Sequence, residues 1–520
     1  MAIKKVKIKN FKCFKGYFEI ELNKGLNILV GNNDAGKSTI LEAINLALTG
    51  LYRGRSIKNE LSQYLFNSEI VDEYLASINN GTALKQPEII IEIYFDGSLD
   101  PEFEGDDHSD KGNVSKYEGI KFVIAFDDRY NDEYNGLLDT KNVRSLPIEY
   151  YDCYWSSFAR QKITTKSIPI KSAMIDSSSY RFSNGSDVYI SRIVKDLLTD
   201  YEITAVSQAH RHMKDSFIGD DSIKAINERI GQDSSIVDGK ISLTVDLGTK
   251  NAWENSLVTQ LNEIPFGNIG KGAQCVMKTE LALTHKSARK AQIVLLEEPE
   301  SHLSFSKLNQ LIESIQSKYN DKQIIVSTHS SYVANKLGLE NLLLLKEQKI
   351  IKIANLSSAK FFKKIAGYDT LRMMLCNKAI LVEGDSDELI VQKAYLKKHN
   401  RLPIQDQIDV ISVGTSFLRF LELAEELNQK VAVVTDNDGD VKALENKYKN
   451  YIRENKKENI DICYDSCVDT GNFAVGDKPY NYNTLEPKML KANANNISLF
   501  NSIFNTNYEK IEDIWKYMQH

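Results

Sequence analysis

Short apolar runs, each closed by a glycine, an acid or a histidine, punctuate this chain. Leu26–Val30 reads as a buried strand; from Thr39 the period becomes helical, with Ile40, Leu41, Ile44 and Leu48 on one face. Ile293–Leu296 and the "QIIVS" run before His329 predict two more buried strands. Between them, 87–126 ("PEIIIEIYFDG", "IKFVIAFDD") predicts strands and 186–235 ("VYISRIVKDLLTDYEI", "SIKAINERI") predicts helices. From about residue 370 strands and helices alternate, in "KAILVEGDSDELIVQKAYLKKH", "IDVISVGTSFLRFLELAEEL" and "KVAVVTDNDGD". That alternation implies a parallel sheet, whose ligands sit at the carboxyl ends of the strands. No repeat, low-complexity tract or heptad run long enough for a coiled-coil arm is present.

Composition narrows the class. A chain of 520 residues is too long for one core, and two to four domains are expected. Hydrophobic content of 42% with 26% charged residues fits a globular protein. No apolar run approaches the ~20 residues that span a bilayer, and the Lys-rich "MAIKKVKIKNFKCF" lacks the apolar block of a signal peptide, so a cytoplasmic protein with no membrane partner is expected. The six cysteines are scattered apart from Cys463 and Cys467, which argues for packing rather than a disulfide framework or a zinc site. With a net charge of −6, any nucleic-acid partner must be held by local basic patches. "KKVKIKNFKCFK" is one, though it equally suits a Lys-guarded early strand.

Candidate chemistry concentrates at the ends of the predicted strands. After Leu26–Val30 comes G-x-x-x-x-G-K-S, from Gly31 to Ser38. Such a strand–loop–helix cradles phosphates: Gly31, Asn32, Asn33 and Gly36 supply loop backbone N–H groups, and the helix start at Thr39 adds its dipole. Lys37 would reach the β/γ-phosphates of ATP, and Ser38 would give a hydroxyl to Mg²⁺. Glu297, closing the second strand, would hold that Mg²⁺, and Glu298 would polarise the attacking water. His329, at a third strand end, is placed to sense the γ-phosphate. In the C-terminal part, Glu383 and Asp436 each end a predicted strand. Asp438 follows two residues on, and Asp387 lies one helical turn past Glu383. These carboxylates would repel one another unless cations bind, and hard oxygen donors favour Mg²⁺ or Mn²⁺. The D-x-D-x-D spacing of Asp436, Asp438 and Asp440 is no EF-hand: Gly439 falls at position four, Lys447 at twelve, and a strand precedes it.

The opening "IKNFKCFKGYFEIELNKGLNILVGNNDAGKST", with "LLEEPESHL" and "VSTHS", resembles the ABC-type ATPase of RecF and SMC proteins. That resemblance implies a signature helix acting across a dimer. "IPFGNIGKGAQCVMKTELAL" is its best candidate, with Gly272 and Gln274 as nucleotide contacts, though it departs from the usual signature. "VEGDSDELI" and "VVTDNDGD" resemble a TOPRIM domain, and an ABC-type ATPase followed by TOPRIM is similar to the OLD (overcoming lysogenisation defect) family, whose relatives include the nuclease subunit of Gabija antiphage systems. The resemblance implies an ATP-regulated, two-metal DNA endonuclease of bacterial defence. Glu383, Asp436 and Asp438 would bind one metal, with Asp387 and Asp440 at the second. "YNTLEPKML" resembles the family's Thr-Leu-Glu element and adds Glu486 as a ligand. A late lysine is also implied, with Lys488, Lys491, Lys510 and Lys516 as candidates. The expected architecture is α/β: an ABC/RecF-like ATPase in two parts (1–150 and 239–368), a helical dimerisation insert (151–238), and a TOPRIM domain with a parallel sheet (369–520). The implied partners are DNA and a homodimer or higher homo-oligomer formed through the ATPase domain and insert. The resemblance leaves open whether the protein works alone, with a UvrD-like helicase, or with a retron reverse transcriptase and its DNA. The competing reading is a RecF/SMC-like repair ATPase with a non-catalytic TOPRIM domain.

Overall fold

The computed structural model describes residues 1–81, 84–97, 100–110, 116–138, 143–176, 182–183, 186–187, 198–232, 260–274, 276–277, 291–301, 303–318, 322–330, 333, 337–353, 368–472, 474–475 and 478–518. The chain divides into two compact units, Met1–Leu337 with Asn341–Ile351, and Gly338–Glu340 with Lys352–His520. Among the described residues no helix is long and apolar enough to cross a membrane.

Among its described residues the first unit has two large sheets, beside three two-stranded ribbons. Strands β1 (Ala2–Lys9), β2 (Tyr17–Glu21) and β3 (Leu26–Gly31) lead through the phosphate-type loop into helix α1 (Lys37–Thr49). Strands β4 (Ile89–Asp96), β5 (Tyr117–Phe126) and β6 (Tyr151–Ser157) join β1 and β2 in an antiparallel sheet of order β6-β5-β4-β1-β2, extended at one edge by Lys162–Ile163. The second sheet has order β7-β8-β9-β3-β10-β11, from Ser172–Asp176 (β7), Ile293–Glu297 (β8), Gln323–Ser327 (β9), Leu342–Lys346 (β10) and Lys349–Lys352 (β11). Strands β7, β8, β9, β3 and β10 run parallel. Helix α1 is apolar almost all round, burying Ile40, Leu41, Ala43, Ile44, Leu46, Ala47 and Leu48, because it packs against strands of both sheets. The Trp155 indole of β6 donates to the Ala47 carbonyl at 2.9 Å, fixing the antiparallel sheet to this helix.

The range 151–238, expected to be helical, opens with strands β6 and β7 instead. Strand β6 joins the antiparallel sheet and β7 the parallel one. Among the described residues of that range the helices are α2 (Asp200–Gly219) and α3 (Asp221–Gln232). A reciprocal cap starts α2: Thr199 Oγ1 accepts from Glu202 N–H, and Glu202 Oε2 accepts from Thr199 N–H. The expected boundary at 238/239 lies outside the described residues.

Most lysines of the N-terminal basic stripe have acidic partners: Lys5 pairs with Asp110, Lys7 with Glu19 at 3.2 Å and Lys9 with Glu88 at 2.9 Å on β1, and beyond it Lys12 with Glu42 and Lys15 with Glu73 at 2.6 Å, while Lys4 is exposed beside the Tyr117 ring.

The second unit is built on four parallel strands of order β13-β12-β14-β15: Lys378–Val382 (β12), Ile408–Ser412 (β13), Lys430–Val434 (β14) and Ile460–Cys463 (β15). Helix α4 (Asp385–His399) follows β12, α5 (Phe417–Glu426) follows β13, and α6 (Val441–Lys447) follows β14. The expected parallel sheet and strand–helix alternation are both present. Helix α5 buries Phe417, Phe420, Leu421, Leu423 and Ala424. Helix α7 (Leu485–Ala492) contributes Leu490 to a small C-terminal cluster with Phe500 and Ile514.

Candidate active sites

In the first unit the loop after β3 closes tightly. Gly36 caps α1 at φ 108°, and a Cβ there would lie 2.7 Å from the Phe14 ring and 2.8 Å from Cys13 Sγ. A Cβ on Gly31 would lie 2.6 Å from the Leu345 carbonyl oxygen, so both glycines are sterically required. Lys37 is buried and donates to the Gly31 and Asn32 carbonyls, each at 2.8 Å. Burial holds its ammonium below the usual lysine pKa, against the pull of Glu298, Asp34 and Glu300. Asn32 and Asn33 are exposed, and Ser38 is half-buried. Thr39 is buried, its hydroxyl 3.6 Å from Cys13 Sγ.

The acidic strand end stands where the pattern places it. Glu297 ends β8, in register with Ser327 of β9 and Asp176 of β7. Glu298 follows in a left-handed conformation (φ 41°), its N–H donating to the Ser327 carbonyl at 3.0 Å. For a non-glycine residue that backbone is strained, a feature that concentrates at functional sites. His329 Nε2 lies 3.0 Å from Glu298 Oε1, so two residues 31 apart in sequence form one pair. In the signature candidate Gln274 is buried, its amide donating to the Phe266 and Ile269 carbonyls at 2.9 and 3.0 Å. Gln274 thus bolts its own loop. Gly272 is half-buried, and of the apolar-periodic helix expected after Gln274 residues 276–277 are helical while 278–283 lie outside the described residues.

In the second unit β12 and β14 are neighbours, paired Leu381 to Val433, so Glu383 and Asp436 emerge from adjacent strand ends. Asp436 is half-buried, and its pKa is pushed up to about 6. Burial is the main cause, with the Asp387, Asp438 and Glu383 carboxylates adding and the Leu485 N–H opposing. Glu383 is raised as well, by burial first, then by Asp438, Asp387 and Glu486, against Lys447. Five carboxylates therefore share one field. Asp387 is oriented by the Gly384 N–H, which donates to its Oδ2 at 3.0 Å. Asp438, at φ 51°, accepts from Asn481 Nδ2 at 3.3 Å. Asp436 Oδ2 accepts from Leu485 N–H at 3.1 Å, docking the first turn of α7, and with it Glu486, on the acidic strand end.

Asp440 is the N-cap of α6, its Oδ1 accepting from Ala443 N–H at 2.9 Å. The acids do not form a finished cage: among the described residues no three His, Cys, Asp or Glu side chains meet at ion-binding spacing. Their fit to a divalent cation is one of chemistry, an all-oxygen donor set whose mutual repulsion a cation would relieve.

Sequence reading missed three groups. Asn437 is buried between the acids, donating to the Asp465 and Cys467 carbonyls at 2.7 and 2.9 Å and accepting from Gly439 N–H at 2.9 Å, which sets the curve of the loop. Lys447 places its ammonium 5.2 Å from the Tyr448 ring and 5.6 Å from the Phe417 ring, and is the cation felt by Glu383. Glu300 gathers the tip of β9. Polar residues flanking an Asp-rich motif are the only signal the first could have given. The proposed late lysines Lys488 and Lys491 pair with Asp465 and Asp469.

Residues 1–227 match a family model described as an AAA ATPase domain, and 268–335 one described as an AAA domain, putative AbiEii toxin, Type IV TA system. Residues 374–438 match an overcoming lysogenization defect protein-like TOPRIM domain. The chain is 24% identical over 463 residues to the retron Vc95 probable ATPase of Vibrio cholerae, covering 79% of this chain and 85% of that protein. It is 24% identical over 499 residues to an OLD nuclease of Thermus scotoductus, covering 88% and 86%. A 73-residue stretch is 41% identical to structural maintenance of chromosomes protein 6 of Saccharomyces cerevisiae, 13% of this chain and 6% of that one. An SMC head domain derived from Pyrococcus furiosus superposes with a TM-score of 0.35 at 14% identity, covering 70% of this chain and 100% of that one.

Proposed function

From an AAA ATPase domain joined in one chain to an OLD-like TOPRIM domain, we propose that this protein is an ATP-regulated, divalent-metal-dependent DNA endonuclease. The observation that carries the reading is the pairing of Glu383 with Asp436 at neighbouring parallel strand ends, within one field that also holds Asp387, Asp438 and Glu486. A carboxylate set of this kind suits phosphodiester chemistry once its charge is neutralised. Glu383, Asp436 and Asp438 would hold one Mg²⁺ or Mn²⁺, with Asp387 at the second. When bound, the ions supply a nucleophilic water at neutral pH and counter-charge for the leaving oxygen. The chain's own residues orient: Gly384 N–H fixes Asp387, Leu485 N–H fixes Asp436, and Asn437 sets the loop that carries Asp438.

In the ATPase unit Lys37 and the loop after β3 would bind ATP, Ser38 and Glu297 its Mg²⁺, Glu298 the attacking water, and His329, paired with Glu298, would sense the γ-phosphate. ATP would set the state of a homodimer and gate DNA access rather than drive the cut. The similarity to an OLD nuclease and to a retron ATPase supports a role in bacterial antiphage defence.

The test is plasmid nicking across Mg²⁺ and Mn²⁺. Glu383→Gln is expected to abolish nicking while ATP hydrolysis persists, and full nicking by this variant would sink the site assignment. A second reading is a RecF/SMC-like ATPase whose TOPRIM domain binds DNA without cutting it. That reading predicts DNA-stimulated ATP hydrolysis and no nicking with any metal.

A further inference from the structure

Three donors converge on one carboxylate oxygen at the tip of β9. Glu300 Oε1 accepts from the Thr328 hydroxyl, from His329 N–H at 3.0 Å and from Ser330 N–H at 3.2 Å. The Ser330 N–H also reaches Thr328 Oγ1 at 2.9 Å, so the turn after β9 is closed from both sides. The second oxygen of Glu300, Oε2, is buried without a hydrogen-bond partner. Three donors gathered on one oxygen fix the orientation of the turn relative to Glu300.

What the clamp controls is visible in the next pair. His329, whose backbone N–H Glu300 holds, turns Nε2 onto Glu298 Oε1 at 3.0 Å. Glu298 is itself pinned by its N–H to Ser327, and the Ser301 hydroxyl stands 3.4 Å from its other carboxylate oxygen. The ends of β8 and β9 are thus tied twice, once through Glu300 to the turn and once through His329 to Glu298. Glu300 also faces the nucleotide side, being one of the three acids acting on the Lys37 ammonium.

We propose that Glu300 is a positioning residue for ATP hydrolysis: it locks the Thr328–Ser330 turn so that His329 holds the Glu298 carboxylate in the orientation that polarises water. Glu300 itself touches no reacting atom. The inference rests on the reading of this site as an ATPase.

Steady-state ATP hydrolysis and direct ATP binding by the full chain test it. Glu300→Ala removes the acceptor and is expected to lower kcat by about 10- to 100-fold, within the range of acid–base positioning effects. Its Kd for ATP should stay within about threefold, because the loop after β3 is untouched. Glu300→Gln keeps an acceptor oxygen for the three donors and should retain kcat to within about threefold. Thr328→Val removes one donor and no charge, and is expected to lower kcat about fivefold at constant Kd. It also decides the matter if Glu300→Ala does not fold. Unchanged kcat in Glu300→Ala or in Thr328→Val, a rise in Kd that matches the fall in kcat, or Glu300→Gln as impaired as Glu300→Ala, each overturns the proposal while leaving the ATPase reading intact. A wild-type chain that binds ATP without hydrolysing it overturns both.

Discussion

Asp436→Asn removes one negative charge from the crowded strand end while leaving a carbonyl oxygen to accept the Leu485 N–H. The carboxyl pKa in the folded protein is about 6, against an ordinary 3.8. The folded chain therefore holds this proton more tightly than the unfolded chain does. Its contribution to stability is fully present below about pH 4 and is lost as pH rises through about 6. A displacement of roughly 2 in pKa corresponds to about 3 kcal/mol. Water screens this half-buried group, so about half of that remains, ~1.5 kcal/mol. For a unit of this size the expected gain in Tm is about 3–6 °C. Metal-free Asp436→Asn should unfold at a higher temperature than wild type at pH 8, and the gap should fall to about half near pH 5 and close below about pH 4. Adding Mg²⁺ or Mn²⁺ at pH 8 should raise the wild-type Tm and move the variant much less. Thermal unfolding of both proteins, with and without cation, makes the check. A variant no more stable than wild type at pH 8, or one that keeps the whole cation-induced rise, would refute the argument from charge crowding.

Two further outcomes separate neighbouring groups. Asp440→Ala should cost about 1 kcal/mol through the lost helix cap, seen as a lower Tm, with the cation-induced rise preserved; loss of that rise would restore Asp440 as a ligand. Lys447→Met removes a cation that opposes the acids at Glu383. Mn²⁺ should then bind several-fold more tightly by calorimetric titration at pH 8, and unchanged affinity would place Lys447 outside the site's field.

Much of this arrangement is legible along the chain, and the reasons are local. The loop from Gly31 to Ser38 must lie between a buried strand and a helix, and its two glycines have no room for a Cβ. Glu297, Glu383 and Asp436 terminate apolar runs, and a parallel sheet brings such termini to one edge whatever the intervening sequence. The cap made by Asp440 was hidden because alternate aspartates look equivalent in a string. The backbone turns left-handed at Asp438 and enters α6 at Val441, so the third acid becomes a cap. The bonds of Gln274 were hidden in the same way, since only three dimensions show which carbonyls it reaches. Glu300 stayed silent because its partners are a hydroxyl and two amides 28 to 30 residues away, which leave no periodic trace. The N-terminal lysines were ambiguous because their counter-charges come from as far as Asp110.

The hydrogen bond from Leu485 to Asp436 spans 49 residues. It makes one backbone amide a resident pH electrode. Its proton resonance should titrate with the acid it touches and jump when a cation takes the proton's place. The first turn of α7 begins at that amide, and Leu490 carries the helix into the cluster with Phe500 and Ile514. Occupancy of the acidic strand end is thereby wired to the start of the C-terminal helices, and an isotope label on a single leucine is enough to read it.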